Sequence, residues 1–300
     1  MPDLIGNGPS EDSDEADRVD CVVYSKVGYT KSQVMSYYDS VMPWLLPEII
    51  MRPMSLLRCP DGVRADAEST CFFQKHFIPQ FGDQVSALPM NDSRGKRVEF
   101  MYVSGEVGAR DLVQMNTLEF HPWGAKVTAV EKADRLTLDL DPGHGVDWKK
   151  IVAAADLIHH MLADIGLQSF VKLSGGKGLH VVVPLKPAQP WEIAKQFCRG
   201  IAGTLTKLRP KEFIEVATKS RRSGRIFVDY FRNLRGATSI AAYSLRARDT
   251  AAIAMPVSWE EIHRVPSASA FTMSNVAAHL AQRQNDPWQS IYEIEQTIRS

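Results

Sequence analysis

The residues that most constrain the fold are 136–142, LTLDLDP, in which leucines alternate with polar residues before a proline. Alternation with a period of two is typical of a β-strand, because successive side chains point to opposite faces. The three leucines then lie on one face, and Thr137, Asp139 and Asp141 lie on the other. The pattern predicts a half-buried strand that presents two carboxylates side by side.

These two carboxylates, Asp139 and Asp141, repel each other unless a cation neutralises them. Hard divalent ions such as Mg²⁺ and Mn²⁺ prefer oxygen ligands of this kind. Paired carboxylates commonly serve nucleotidyl transfer, in which two ions hold the attacking and leaving oxygens. Taken alone, the motif also suits an ordinary strand that runs into an Asp-Pro-Gly turn, and both interpretations stay open.

The composition of the 300-residue chain, 44% hydrophobic and 23% charged, is typical of a folded soluble protein with one large domain or two small ones. We find no apolar run of about 18 residues and no signal-peptide pattern, so we predict no membrane partner and a cytoplasmic, nucleoid-associated location. The widely spaced cysteines contain no CxxC pair, which favours reduced thiols over a zinc site or disulfides: Cys21, Cys59, Cys71 and Cys198.

The formal net charge is zero, yet the charges are unevenly distributed. The first twenty residues carry seven acids and one base, and we interpret residues 1–18 as a disordered acidic tail before a catalytic domain at 19–300. The stretch 207–248 carries eleven bases against three acids. Such a local positive excess favours contact with a phosphate backbone. The alternative is a solvated surface whose counter-ions lie elsewhere in the fold.

Strand and helix patterns alternate along the chain, which predicts an α/β or α+β class. We predict helices at 31–42, 109–116, 148–165 and 191–208, with a further helix near 259–264. In the first, Thr30 is the N-cap and Pro43 ends the helix. We predict strands at 170–173, 179–183 and 226–231, short strands within 55–82, and an exposed loop at 82–96.

A second informative segment is 172–180, KLSGGKGLH, a glycine-rich turn between two predicted strands. Glycines let the backbone approach phosphate oxygens, and Ser174, Lys177 and His180 add polar donors. The spacing matches neither a P-loop nor a dinucleotide-binding motif. A plain hairpin remains the alternative.

Three further segments of the chain carry possible chemistry. Asp229 lies in an aromatic strand, where a carboxylate needs an arginine or a metal as its partner. His121 is either a site residue or a core histidine. Phe72 and Phe73 could stack on a nucleobase, although a core strand explains them as well.

The order of six motifs is specific: FFQKH, EFHPW, LDLDP, KLSGGKGLHVVVPL, VDYFRN and AAYSLRAR. This series resembles the polymerase domain of bacterial DNA ligase D, a member of the archaeo-eukaryotic primase superfamily that serves non-homologous end joining. The resemblance covers residues 20–285. It implies a primase-type catalytic fold, with two packed α/β layers and the active site in the central cleft.

The resemblance also assigns roles to residues. It makes Asp139, Asp141 and Asp229 the ligands of two Mn²⁺ or Mg²⁺ ions. It places five side chains against the triphosphate and sugar: His121, Ser174, Lys177, His180 and Arg246. It places Phe72 and Phe73 against the base or template, with Arg58 nearby. Arg232 would support the carboxylates electrostatically.

Lys31 matches a lysine that helps some relatives to hold a 5′-phosphate on the downstream DNA. A second lysine of those relatives aligns with Cys21 here, and Lys26 is the candidate substitute. The resemblance implies templated addition of nucleotides, preferably ribonucleotides, to a primer 3′-OH at gaps and break ends. It implies DNA, a Ku-like end-binding protein and a DNA ligase as partners. A replicative-type primase and a non-catalytic end-binding module are the competing hypotheses.

Overall fold

The computed structural model describes residues 20–64, 70–92, 94–283 and 285–298, so the predicted acidic tail lies outside the described residues. The described helices are α1 (Lys31–Ile49), α2 (Glu106–Gln114), α3 (Trp148–Asp164), α4 (Trp191–Leu208) and α5 (Val276–Gln282). The described strands are β1 (Val22–Tyr24), β2 (Tyr29–Thr30), β3 (Met54–Arg58), β4 (Phe72–Gln74), β5 (Val85–Asn91), β6 (Arg97–Val103), β7 (Thr117–Pro122), β8 (Lys132–Pro142), β9 (Phe170–Leu173), β10 (Leu179–Pro190), β11 (Phe213–Ile214), β12 (Ile226–Asp229) and β13 (Pro256–Val257).

The larger sheet has six strands in the order β11-β12-β8-β10-β9-β13. Its neighbours are antiparallel, apart from the parallel pair of β11 and β12. Helices α3 and α4 pack against β8 and β10. The leucines at 136, 138 and 140 are buried in the core, as their alternation predicts.

The smaller sheet has the order β4-β3-β6-β5, and β7 also pairs with β3. Helices α1 and α2 pack against β7. The segment 238–255 connects the two sheets: the Ala241 N–H donates to the Phe120 carbonyl of β7, while Met255 accepts from Leu173 of β9. The fold is therefore two α/β layers, as expected.

Helix α1 is longer than the sequence predicts. Thr30 and Gln33 form the expected capping box, but the helix continues through Pro43 and Pro47 to Ile49. Each internal proline removes one backbone donor. Burial of one helix face compensates for this loss, since Val41, Leu45 and Ile49 are completely buried in the core.

The predicted exposed loop at 82–96 is wrong, because most of it forms β5 and its hairpin turn to β6. The Asp92 carboxylate accepts hydrogen bonds from Arg94 N and Lys96 N in this turn. Strand β5 lies at the edge of its sheet, where Pro89 lacks an N–H without breaking an inner ladder. The polar residues that suggested a loop mark an edge strand.

The prediction of four reduced thiols is also wrong, because Cys59 and Cys71 form a disulfide. Arg58 faces Phe72 in the antiparallel pair of β3 and β4, so the next residues outward, Cys59 and Cys71, meet across the strands. Cys21 and Cys198 are free. A spacing of twelve residues carries no recognisable disulfide pattern in the sequence.

The other predictions differ mainly at element ends. Helix α4 has the predicted bounds, and Asp147 caps α3 by accepting from Lys150 N. Strand β12 ends at Asp229 because a 3₁₀ turn, Phe231–Asn233, follows it. The predicted helix near 259–264 is a short 3₁₀ helix, Glu261–Arg264. Within the described ranges, no helix combines the length and apolar character that a membrane crossing requires.

Candidate active site

One row of side chains crosses the larger sheet. The register places Asp229 opposite Asp139, Asp139 opposite His180, and His180 opposite Lys172. Residues that face each other on neighbouring strands point to the same side of a sheet. Four ionisable groups from β12, β8, β10 and β9 therefore share one face, and all four are buried.

The carboxylates of Asp139, Asp141 and Asp229 form a compact cluster, with one oxygen of each within 4.8 Å of the others. Arg232 bridges two of them: its Nη2 lies 3.1 Å from Asp139 Oδ2, and its Nε lies 3.4 Å from Asp229 Oδ2. Arg222 Nη1 lies 3.7 Å from Asp141 Oδ2. The three negative charges thus face two guanidinium groups.

The protonation equilibria of this cluster reflect its burial. Burial and the charge of Asp141 raise the pKa of Asp139 to about 7, although Arg232 opposes the shift. Burial likewise raises the pKa of Asp229. Three converging carboxylates are suited to a divalent cation, whose charge favours their ionised form. The acidic cluster therefore fits a metal site built from oxygen ligands.

The glycine-rich turn at 174–178 lies beside these carboxylates. The Ser174 hydroxyl accepts hydrogen bonds from the backbone N–H groups of Gly176 and Gly178, both at 3.2 Å. Gly175 has a φ of +66°, and a Cβ on Gly178 would lie 2.0 Å from the Leu140 carbonyl oxygen. Position 175 requires glycine because its φ is positive, and position 178 requires glycine because the turn packs directly against β8 there.

His180 lies between Asp139 and Lys172 in this row of side chains. Its Nε2 lies 3.5 Å from Asp139 Oδ1, and its buried Nδ1 has no partner among the described residues. Burial holds the pKa of His180 well below its ordinary value, so the ring is neutral. A neutral imidazole keeps one nitrogen as a donor and one as an acceptor.

The smaller sheet supplies the opposite wall. Glu119 accepts from two neighbouring side chains: its Oε2 lies 2.8 Å from His121 Nε2, and its Oε1 lies 3.2 Å from Arg246 Nε. Arg246 Nη1 also donates to the Ser174 carbonyl at 3.0 Å. The ring of Phe73 meets the ring of His121 edge-on at 5.2 Å. Arg246 thereby links the two walls of the cleft.

Ionisation within this wall follows the same contacts. Burial acts to raise the pKa of Glu119, but the hydrogen bond of His121 and the charge of Arg246 outweigh it, so this pKa is lowered. Burial lowers the pKa of His121 despite its bond to Glu119. Glu119 is therefore an anion that fixes the orientation of two cavity side chains.

The two walls enclose a cavity of about 310 Å³. Its lining includes most of the predicted site residues: Phe73, His121, Asp139, Asp141, Ser174, Lys177, His180, Arg232 and Arg246. Asp229 is absent from this lining and belongs to the adjoining carboxylate cluster.

Besides Asp229, four predicted residues lie outside the cavity lining. Phe72 and Arg58 belong to the neighbouring register pair of β4 and β3, and the Arg58 guanidinium lies 5.7 Å from the Phe72 ring centre. Lys31 Nζ donates to the Gln114 carbonyl at 2.7 Å. Lys26 Nζ lies 3.4 Å from Asp249 Oδ2.

Sequence reasoning missed several residues of the site. Glu119 is the first residue of the EFHPW motif, but the motif does not indicate that Glu119 orients both His121 and Arg246. Buried Lys172 donates to the Ile240 carbonyl, and Ile240 lines the cavity. Arg248 also lines the cavity. A lysine in an apolar strand was the one available signal for Lys172.

The basic stretch 207–248 is only partly free for other partners. Five of its arginines have a carboxylate within 4.0 Å: Arg209, Arg222, Arg232, Arg235 and Arg246. The alternative of counter-ions elsewhere in the fold is correct for four of them, whereas Arg209 pairs with Glu212 inside the stretch. Arg222, Arg232 and Arg246 use their charge inside the site.

Comparisons with known proteins agree with this geometry. Residues 30–288 match the family described as LigD, primase-polymerase domain. The polymerase domain of Mycobacterium tuberculosis ligase D, solved in complex with DNA, superposes with a TM-score of 0.83 and 29% identity, covering 92% of this chain and 97% of that one. Fold and site define a nucleotidyltransferase of the primase-polymerase class. The chain belongs to the LigD primase-polymerase domain family.

Curated relatives give the same result. The chain is 35% identical over 274 residues to the multifunctional non-homologous end joining protein LigD of Pseudomonas aeruginosa. The aligned region covers 90% of this chain and 32% of that protein. It is 32% identical over 245 residues to the LigD of Mycolicibacterium smegmatis, covering 81% and 32% respectively. The chain spans about a third of the length of these relatives.

Proposed function

We propose that residues 19–300 form a catalytic domain that adds nucleotides to a primer 3′-OH under direction of a template, at DNA gaps and break ends in non-homologous end joining. The observation that carries the proposal is the convergence of Asp139, Asp141 and Asp229 beside the glycine-rich turn, in a cavity of about 310 Å³. Carboxylates next to the cationic side chains of Lys177, Arg246 and Arg248 suit a triphosphate and its attacking hydroxyl.

The three aspartates would hold two divalent ions, Mn²⁺ or Mg²⁺. When bound, such ions stabilise the charges on the attacking and leaving oxygens. Lys177, Arg246 and the backbone of the turn would bind the phosphates, and Arg232 would keep Asp139 and Asp229 in place. These cations offset the negative charge of a nucleotide in a site that already contains three carboxylates.

The side chains of the smaller sheet would contact the sugar and the base of the nucleotide. His121, oriented by Glu119 at 2.8 Å, would face the sugar, which motivates a preference for ribonucleotides. Phe73 offers an exposed ring beside it for stacking on a base. Phe72 and Arg58, on the neighbouring register pair, would meet the template strand.

The other partners follow from the family. Family relatives are named as non-homologous end joining proteins, so we propose DNA ends, a Ku-like protein and a DNA ligase as partners of this chain and the nucleoid as its location. Lys31 and Lys26 would contact a 5′-phosphate on the downstream strand. Each already has a protein partner, which a phosphate would have to displace.

Primer extension tests the proposal. A labelled primer on gapped DNA is incubated with Mn²⁺ or Mg²⁺ and with ribonucleotides or deoxynucleotides. We expect extension by the wild type and none by Asp139→Ala, Asp141→Ala or Asp229→Ala, each of which should still bind DNA. A carboxylate variant with normal extension would remove that residue from the mechanism. Synthesis on an unprimed template would instead support the replicative-type primase.

A further inference from the structure

A second cavity, of about 340 Å³, lies at the beginning of β8. We refer to it as the cationic cavity, because five basic side chains line it: Arg52, Lys126, Lys132, Arg135 and Lys186. Lys132 and Asp139 are seven residues apart on β8, which corresponds to about 24 Å along an extended strand. The cationic cavity is therefore separate from the candidate active site.

Three of the five cations are neutralised by carboxylates. Arg52 holds Asp134 with two hydrogen bonds, of 2.6 and 2.8 Å, and Arg135 holds Glu48 in the same way, at 2.7 and 3.0 Å. Lys186 pairs with Glu295. Asp134 is the one acidic residue in the lining, and its charge is compensated by Arg52.

The other two cations are in excess. Lys126 Nζ donates to the Ile50 carbonyl at 2.7 Å and has no carboxylate within 4.0 Å among the described residues. Lys132 is exposed and likewise forms no ion pair in that part of the chain. Burial lowers the pKa of Lys126 to about 8, as expected of a partly buried ammonium group with an incomplete set of counter-charges. An anion in the cavity would supply those charges.

Arg52 provides an independent indication. Only 3% of its surface is exposed, and its Nε has no hydrogen-bond partner among the described residues. A buried donor without a partner is costly, so such groups usually meet a water or a ligand. Arg52 lines the same cavity as the two excess lysines.

The remaining wall is apolar and partly aromatic. Leu185, Ile291 and Ile294 line it, together with Tyr292, whose hydroxyl is held by Glu48. A cavity with charges on one side and an apolar wall on the other suits a ligand with two parts. We propose that the cationic cavity binds a phosphate dianion, either free or as the phosphate of a small nucleoside monophosphate whose uncharged part contacts Tyr292.

Phosphate binding can be localised by amide hydrogen exchange on the full chain. Inorganic phosphate and adenosine monophosphate are added separately, and exchange is followed in the segments 126–135 and 291–294. We expect both segments to exchange more slowly with either ligand. Extra protection of 291–294 by the nucleotide would identify the nucleoside form, and equal protection would identify free phosphate. Lack of protection in 126–135 with both ligands would overturn the proposal.

Calorimetric titrations of the same ligands provide the variant test. Lys126→Met should weaken binding at this site about tenfold, as expected for loss of a charge-assisted contact. Lys132→Ala, at an exposed position that does not threaten folding, should weaken it about threefold. Lys149→Ala removes an exposed lysine near the other end of β8 and should leave this affinity unchanged.

The candidate active site can also bind phosphates, so its contribution must be separated. Lys177→Ala weakens that site and should leave protection of 126–135 intact. Wild-type affinity in both Lys126→Met and Lys132→Ala would overturn the proposal. Loss of protection at 126–135 in Lys177→Ala would do so as well, because the signal would then come from the active site. These outcomes do not depend on whether the chain extends primers.

Discussion

Asp229 lies directly opposite Asp139 in the antiparallel pair of β12 and β8, and the guanidinium of Arg232 contacts both carboxylates. With Asp141 two residues further along β8, three acids share two arginines, Arg232 and Arg222. The cluster keeps an excess of negative charge in a buried place. This excess of negative charge destabilises the empty cluster and favours the binding of a cation.

Divalent metal should therefore stabilise the folded chain. We expect Mn²⁺ at about a hundred times its dissociation constant to raise the free energy of unfolding by about 2.7 kcal/mol. Asp229→Asn should lose most of this gain, because one of the converging oxygen ligands loses its charge. Thermal unfolding with and without metal measures the effect. Asp164→Asn, at an exposed position at the end of α3, is the control and should retain the full gain.

The sugar preference should depend more on His121 than on Ser174. Because the Ser174 hydroxyl accepts two backbone hydrogen bonds in the turn, Ser174→Ala should lower extension with ribonucleotides and deoxynucleotides alike. His121→Ala should remove a contact to the 2′-OH worth on the order of 1 kcal/mol, a several-fold loss of ribonucleotide preference. Ratios of kcat/KM for the two nucleotide types decide this. Unchanged ratios in His121→Ala would contradict the assignment.

Local periodicity predicted β8, the strand that carries Asp139 and Asp141, well. The alternation in 136–142 gave the correct faces, because the side chains of an extended strand alternate whatever packs around them. It could not show that Asp229 and His180 flank Asp139, since strand order depends on tertiary pairing between distant segments. The family resemblance grouped Asp229 with the other two carboxylates, but the strand register comes only from the structure.

The failed predictions have a common physical cause. Pro43 and Pro47 are helix breakers locally, yet burial of the α1 face outweighs the lost donors. Pro89 and its polar neighbours suggested a loop, but an edge strand tolerates them. The pairing of Cys59 with Cys71 arises from the register of β3 and β4, which the sequence does not display.

The disulfide should stabilise the start of β4. Cys59 and Cys71 enclose a loop of twelve residues, for which the chain-entropy model gives about 3 kcal/mol. We expect Cys71→Ser to lower the free energy of unfolding by about 2–3 kcal/mol and to make it insensitive to dithiothreitol. Urea unfolding with and without reductant tests this. The matched control is Cys21→Ser, which removes a free, exposed thiol and should unfold like the wild type. Identical stability of Cys71→Ser and the oxidised wild type would show that the bridge contributes nothing.

Lys172 should make stability depend on pH. Burial lowers its pKa from 10.5 to about 7. Below about pH 7 the group is protonated in both states. Between about pH 7 and 10.5 the unfolded chain holds the proton and the folded chain does not, so stability rises with pH in this window.

Lys172→Met tests this dependence, because methionine fills a similar volume beside the Trp288 ring. The free energy of unfolding of the wild type, measured relative to the variant in urea without metal, should increase by about 1–3 kcal/mol from pH 7 to 9.5. Parallel pH profiles of the two proteins would mean that Lys172 titrates at its ordinary pKa.

Recognition of a downstream 5′-phosphate should be present but modest. Lys31 is the first residue of α1, where the helix dipole favours an anion. The backbone N–H groups of Lys31, Ser32 and Gln33 already donate within the protein, so the contact with a phosphate would rest on the Lys31 ammonium. Its Nζ now donates to the Gln114 carbonyl, a neutral partner that a phosphate can replace. Lys26 is held by Asp249, and the family resemblance implies that Cys21 stands where some relatives have a second lysine. We therefore expect gapped DNA with a 5′-phosphate to bind more tightly than hydroxyl-ended DNA, by about 1.5–3 kcal/mol at most.

Fluorescence anisotropy at low salt measures this difference for the wild type and variants. Lys31→Ala should reduce it, and Asp249→Asn should increase it by releasing Lys26. Lys75→Ala removes another exposed lysine from a different strand region and should leave the difference unchanged. Rising salt should diminish the preference, because phosphate contacts release counter-ions. Equal affinity of the wild type for the two DNAs would leave Lys31 as a residue that only closes the contact between α1 and the end of α2.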